Sequence, residues 1–381
     1  MASRSLLDRL EELCNVDVDD VDTELIKSLP FTPHNQTSNQ AVITGELLKP
    51  ENKTLLEELV DKYGKEGWEK VYDMAVRLFR SLHERSDIRV LTAALRSQAV
   101  TLCARNVPYL SGRVLVQTSL RYVNDRAAII KQCHQYADAF EKAGVSRDRF
   151  AIKLPFSGAA ASAAVDLNAQ GIRTLATAVF SLEQAIAASQ SNCLFISPYY
   201  NEIAAHLDPS LRPQVKDPAL EVHSAIFGVK KTFAQAYVQT GKEQPIMVIA
   251  SHFNVAEILA MAELGCQHVT VQGHNLKKLM ETPDTLPPVV NKKPKHPYAK
   301  FTVAERLKTL EALDPLSGPE WNGLLATMDT DFVVDGGDKV DKFIAENSVL
   351  NRRFGDACKF FLEAEGKAKS AIENVMAGKG I

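Results

Sequence analysis

The 381-residue chain lacks a surplus of either charge: 44 lysines and arginines stand against 47 aspartates and glutamates, a formal net charge of −3. Binding that works by neutralising phosphates has nothing to draw on, so nucleic acid is not an expected partner. It also lacks any run of 18 apolar residues, and its opening MASRSLLDRLEELC reads as a polar helical start. Neither a membrane span nor a secretory leader is expected, and the expected location is cytoplasmic. The six cysteines (Cys14, Cys103, Cys133, Cys193, Cys266 and Cys358) are scattered, with no CxxC pair. That pattern fits reduced thiols and argues against both a disulfide framework and a zinc site. No GxGxxG or GxxxxGK[ST] follows an apolar run, so the usual nucleotide-cradling loops are missing. No metal and no cofactor is expected.

Hydrophobic residues make up 45% of the chain and charged residues 24%, enough for a large core and too apolar for disorder. From residue 112 the pattern becomes regular. Apolar runs occur at 112–120, 149–156, 173–180, 193–200, 245–252 and 268–273, with amphipathic stretches such as SLEQAIAASQ between most of them. Strand and helix alternating this way imply parallel strands joined by right-handed crossovers. Two more polar candidates, at 15–22 and 34–40, bring the strands to eight. The expected fold is an α/β single (β/α)8 barrel over 1–381, with additional N- and C-terminal helices. Residues 51–110 place Leu55, Leu59, Tyr63, Val71, Met74, Ala75 and Leu78 at helical spacing and are expected to be largely helical. Residues 281–300 read as a Pro- and Lys-rich surface loop, and 315–381 as a C-terminal helical extension.

Strand alternation assigns side chains to faces. In RFAIKLPF, the bulky Phe150, Ile152, Leu154 and Phe156 suit packing beneath helices, which turns Lys153 into the barrel. A lysine there either snorkels to the rim or is a desolvated amine whose lowered pKa makes it a nucleophile for carbonyls. Leu115, Gln117 and Ser119 alternate with Val114, Val116 and Thr118; Leu175, Thr177 and Val179 share a face, as do Phe195, Ser197 and Tyr199. Each polar member could be a satisfied core group, yet barrel active sites form at the carboxyl ends of the strands.

The block FAIKLPFSGAAASAAVDLNAQGIRTLATAVFSLEQAIAASQSNCLFISPYY (150–200) resembles the transaldolase family. Phe180, Ser181, Gln184 and Ala185 reproduce its FSxxQA, and Ile196, Ser197 and Pro198 its ISP strand. GRVLVQTSLRYVND resembles the third strand, QTSNQ the second, and VIASHFNVAEIL and HVTVQG the last two. The resemblance implies a lysine-dependent enzyme without cofactor, acting on a small carbonyl or sugar-like substrate. It implies Lys153 as the imine-forming lysine and Thr177 as the hydroxyl holding the catalytic water. Thr37, Asn39, Ser197 and Ser251 become substrate-binding positions. Asp17 is the best match for the acid/base carboxylate, within a segment that also holds Asp19, Asp20 and Asp22. A homodimer is expected.

Departures from the family pattern bear on the substrate. Gln117 stands where the family has a glutamate; an amide orients water but cannot take its proton. Tyr199 replaces the usual phenylalanine, a combination resembling the fructose-6-phosphate aldolase branch. Glu202 and Phe253 occupy the slots of two phosphate-binding arginines, each such bond worth roughly 1.5–3 kcal/mol. Lys292, Lys293 and Lys295 of the Pro-rich loop are either substitutes or a solvated charge run. An unphosphorylated or atypical carbonyl substrate is expected. The alternatives are an ordinary transaldolase moving dihydroxyacetone between sugar phosphates of the pentose phosphate pathway, and a catalytically silent binding barrel.

Overall fold

The computed structural model describes residues 4–72, 101–220, 225–289, 292–299, 305–312, 316 and 323–381. Eight strands close a parallel barrel in chain order: β1 (Asn15–Asp19), β2 (Gln36–Thr37), β3 (Val114–Gln117), β4 (Phe150–Pro155), β5 (Thr174–Val179), β6 (Phe195–Pro198), β7 (Ile246–Ile249) and β8 (His268–Gln272). β8 closes on β1 with Asp17 opposite Thr270 and Asp19 opposite Gln272. Every expected strand is present, and the (β/α)8 reading holds.

Around the barrel lie α1 (Leu6–Leu13), α2 (Thr23–Ser28), α3 (Gln40–Leu47), α4 (Lys53–Tyr63), α5 (Thr101–Ala104), α6 (Arg126–Lys142), α7 (Gly158–Ala169), α8 (Leu182–Gln190), α9 (Ala204–Leu207), α10 (Ile226–Thr240), α11 (Val255–Glu263) and α12 (Gly273–Glu281). Within the 51–110 stretch, α4 and α5 are helical as read; Met74, Ala75 and Leu78 lie outside the described residues. Short polar residues at the strand ends start the helices that follow. Asn39, Ser157, Ser181 and Asn254 each accept the first free backbone N–H groups of α3, α7, α8 and α11, worth about 1 kcal/mol apiece.

Alternation sorts the core as the sequence implies. Phe150, Ile152 and Leu154 of β4, with Phe156 just beyond it, belong to the large cluster under the helices. Leu115, Ala151, Leu175, Phe195 and Val248 fill the barrel interior. The regular alternation read for β5 does not reach its end, because Ala178 adopts a left-handed φ of 53° and the β5–β6 register shifts between Ala176 and Val179.

Among its described residues the C-terminal extension is α-helical at α13 (Asp338–Glu346) and α14 (Ser348–Gly378). Gly337, at φ 90°, lies so close to Gly158 that a Cβ on either would strike the other's backbone. The Gly158 N–H donates to Asp341 Oδ1 at 2.7 Å, fixing this segment on the start of α7. α14 then crosses the carboxyl ends of the strands. Thr44 Oγ1 donates to the Ala364 carbonyl at 3.0 Å. The buried Glu365 carboxylate accepts from Ser119 Oγ at 2.8 Å and Arg121 Nη2 at 2.6 Å.

The Pro-rich loop runs at the opposite end. Lys293 pairs with Glu11 at 2.6 Å and donates to Asn15 Oδ1 at 3.0 Å, and Lys292 pairs with Glu12 at 2.8 Å. These lysines serve the amino ends of the strands and cannot stand in for missing arginines at the carboxyl ends. All six cysteines are free. Among the described residues no group of three or more His, Cys, Asp or Glu side chains is placed to hold a metal, and no helix is long and apolar enough to cross a membrane.

Candidate active site

The middle of β4 places Lys153 against Gln117 of β3 and Leu175 of β5. The side chain is 4% exposed. Burial pushes its amine below the ordinary lysine value, opposed only in part by the charge of Asp19 and by Cys103. Among the described residues no hydrogen bond or ion pair holds its Nζ. Desolvation without a partner favours the neutral, nucleophilic form. Lys153 opens on a cavity of about 150 Å³ that Asp19, Asn39 and Tyr199 also line.

The two inward-facing carboxylates of β1 part company here. Asp17, the expected acid/base, is fully buried and accepts from the Asn35 N–H at 3.0 Å and Asn35 Nδ2 at 2.8 Å, with His268 Nδ1 at 2.9 Å. It lies one layer deeper and does not line the cavity. The carboxylate that shares the cavity with Lys153 is Asp19, two residues on and therefore on the same face. Thr37 donates to Asp19 Oδ1 at 2.6 Å and meets Thr270 Oγ1 at 2.8 Å. Thr37 is thus a buried orienter of Asp19, and Asn39 reaches the cavity while its amide oxygen caps α3.

Thr177 Oγ1 lies 3.3 Å from the Tyr199 hydroxyl, and both are buried. Burial drives the phenol well above its ordinary pKa, so it stays a proton donor. Gln117 donates through Nε2 to Gln40 Oε1 at 2.6 Å, while its own Oε1 is buried with no hydrogen-bond partner among the described residues. Ser197 is buried in β6 but does not line the cavity. The FSxxQA motif has a mechanical role: Gln184 accepts from the Phe180 N–H at 2.9 Å and donates to the Phe156 carbonyl at 2.9 Å. It clamps the ends of β4 and β5 together just above Lys153 and Thr177.

At the far wall, Ser251 follows β7 with a left-handed φ of 71° and lines the cavity. Its hydroxyl donates to the Asn201 carbonyl at 2.7 Å and meets His206 Nε2 at 2.8 Å. Phe253 does not line the cavity; its ring packs behind His206, tilted by 53° with ring centres 4.5 Å apart. Glu202 is also outside, paired with Arg352 at 2.8 Å and Arg353 at 3.4 Å of α14. Sequence reasoning missed Thr270, Gln272, His206, Phe360 and Phe361, all of which line the cavity. The alternation of HVTVQG could have flagged Thr270 and Gln272. Nothing local marks His206 or the two phenylalanines, which arrive from α9 and α14.

A closed barrel whose titratable and hydroxyl groups gather round a cavity at the carboxyl ends of its strands has the layout of (β/α)8-barrel enzymes. A family model described as transaldolase/fructose-6-phosphate aldolase matches residues 16–314. Transaldolase of Sus scrofa is 28% identical over 294 residues, 76% of this chain and 79% of that protein. Transaldolase of Homo sapiens is 26% identical over 294 residues, with the same shares. That of Methylococcus capsulatus is 27% identical over 290 residues, 75% of this chain and 80% of its own. Among solved structures, an IMP dehydrogenase/GMP reductase-like protein of Corynebacterium glutamicum gives a TM-score of 0.37 at 12% identity. It covers 68% of this chain and 62% of its own, too weak a likeness to bear on function. The chain belongs to the transaldolase/fructose-6-phosphate aldolase family, and its function is of transaldolase or aldolase type.

Proposed function

We propose that this enzyme makes or breaks a carbon–carbon bond through a Schiff base on Lys153, using an unphosphorylated or otherwise atypical carbonyl substrate. The observation that carries the reading is the buried, unpaired amine of Lys153 in a cavity it shares with Asp19 and Tyr199. The neutral amine adds to a ketone carbonyl, and the carbinolamine loses water to give a protonated imine. Asp19 takes the proton of the hydroxyl on the far carbon of the bond that breaks, and that oxygen becomes the carbonyl of the leaving aldehyde. The electrons of that bond pass to the imine, leaving an enamine and a free aldehyde. In transfer, the enamine carbon attacks a second aldehyde and Asp19 returns the proton to the new alkoxide. In hydrolysis, the enamine is protonated and water regenerates Lys153. Tyr199, which lines the cavity, supplies a hydrogen bond that orients that water, with Thr177 behind its hydroxyl at 3.3 Å and the unpartnered Gln117 Oε1 as an acceptor beyond the lining.

Asp19 takes the role first given to Asp17 because general acid/base work requires reach to the reacting atoms, and the contacts of Asp17 are spent on Asn35 and His268. Borohydride reduction with a candidate ketone, followed by peptide mass analysis, tags Lys153. A tag on another residue, or none, overturns the proposal. The names of the mammalian relatives favour a second reading, ordinary transaldolase. Robust transfer between fructose 6-phosphate and erythrose 4-phosphate would establish it and displace the atypical substrate.

A further inference from the structure

The cavity wall joins two chemistries. Asp19, Asn39, Tyr199, Ser251, Thr270 and Gln272 supply polar groups around Lys153. Ile203, the His206 ring and, from α14, Phe360 and Phe361 supply an apolar and aromatic part. Lys153 is the only lysine or arginine among the described residues that line it. The cations nearby are engaged behind the wall. Arg212 lies over the Phe253 ring at 4.6 Å with its Nε donating to the Ala205 carbonyl at 3.2 Å. Arg352 and Arg353 hold Glu202.

His206 adds an aromatic face to this wall. The Ser251 hydroxyl donates to Asn201, so its oxygen is left to accept, and His206 Nε2 is the donor to it. With the tilted Phe253 ring packed against it, the imidazole is fixed from the side and from behind. Burial lowers its pKa to about 4, so the ring is uncharged at neutral pH.

We propose that the aldehyde released or accepted by this enzyme is uncharged and carries a short alkyl or aryl tail, seated against Ile203, His206, Phe360 and Phe361. The inference rests on the Schiff-base reading and specifies its substrate class. A phosphate here meets, among the described residues, no arginine and no lysine but the imine-forming Lys153, and it meets the carboxylate of Asp19. An apolar tail removes the phenylalanine and isoleucine surfaces from water. Size sets a limit: the whole cavity is about 150 Å³, so with the reacting carbons at Lys153 only a short tail fits.

The test uses the full chain with dihydroxyacetone as donor and follows aldol product across a concentration series of butanal and of erythrose 4-phosphate. Butanal is expected to reach half-maximal product formation at a concentration at least about tenfold lower, equivalent to about 1.4 kcal/mol. No product with butanal, or an equal or lower half-maximal concentration for erythrose 4-phosphate, overturns the inference, and a borohydride tag left by dihydroxyacetone on Lys153 then leaves the Schiff base standing. Absence of that tag overturns the Schiff base, and the inference with it. Phe360→Ala, on a half-buried helix position, is expected to cut the butanal preference at least threefold with an unchanged unfolding midpoint. A folded variant that keeps the full preference also overturns the assignment.

Discussion

Lys153 and Lys230 are 4% and 8% exposed, and burial pushes both amines below the ordinary lysine value. Their surroundings otherwise have little in common. Lys230 leaves α10 on the outside of the barrel and donates to the carbonyls of Leu264, at 3.0 Å, and Gly265. Those bonds spend its protons on closing the turn after α11. Lys153 points inward from the middle of a strand, with a cavity beside it and no bond to its Nζ among the described residues. Dryness alone therefore does not make a nucleophile. A free lone pair and room for a carbonyl next to it are what separate the two.

The sharpest way to break this comparison is to remove each amine in turn. Lys153→Met is expected to abolish borohydride labelling and cut turnover by on the order of 10³-fold or more, with the fold retained by circular dichroism. Lys230→Met should keep labelling and turnover but lose about 1–3 kcal/mol of stability in urea, since two carbonyls lose their donor. Labelling lost in the Lys230 variant would erase the distinction.

The two carboxylates of β1 offer a second contrast. Asp19→Asn is expected to lower kcat by roughly 10²–10⁴-fold, the usual worth of a positioned general acid or base, while shifting stability little. Asp17→Ala should do the reverse. It leaves Asn35 and His268 without their acceptor in a dry interior, at about 2–4 kcal/mol, measured by urea unfolding. A catalytic collapse in a folded Asp17 variant would return the proton-transfer role to the deeper residue.

pH sharpens the picture further. The folded state holds Lys153 with a pKa below that of the unfolded chain, so at neutral pH the unfolded chain binds the proton more readily. Burying the amine therefore costs stability at low and neutral pH, and the cost fades as pH rises towards the ordinary lysine value near 10.5. Lys153→Met should be more stable than the parent at pH 7, with the gap narrowing between pH 7 and 10.5 in thermal unfolding. A gap that widens with pH contradicts a lowered pKa.

The smallest expected effect concerns the strained end of β5, one residue beyond Thr177. Ala178→Gly relieves a left-handed φ of 53° but adds chain entropy to the unfolded state. The net change should lie within about 1 kcal/mol. Turnover is expected to fall more than stability, because Thr177 and the Tyr199 hydroxyl lose a rigid mount.

The barrel was legible because its signals are local. Runs such as RFAIKLPF and CLFISPYY show their period within six to eight residues, and Ser157, Ser181 and Asn254 announce the helices that follow. Lys153 was legible for the same reason: alternation alone places it opposite Phe150, Ile152 and Leu154. Asp17 and Asp19, however, have the same parity, and no periodicity tells which of the two reaches the open layer. That depends on the stagger of β1 against β2 and β8, where Asn35 and His268 take the deeper carboxylate.

The amino-acid order by itself thus determined the eight strands, the inward lysine and the family, since each rests on the repeat of neighbouring side chains or on a contiguous motif. Only the closed structure decided which carboxylate faces Lys153. It alone placed His206 with Phe253 behind it, and sent Lys292 and Lys293 to the amino ends of the strands. It also laid Phe360 and Phe361 over the mouth, some two hundred residues beyond Lys153 in the chain. Contacts made across such separations depend on where whole elements dock, and docking is settled by the summed burial of many faces that no short stretch of sequence contains.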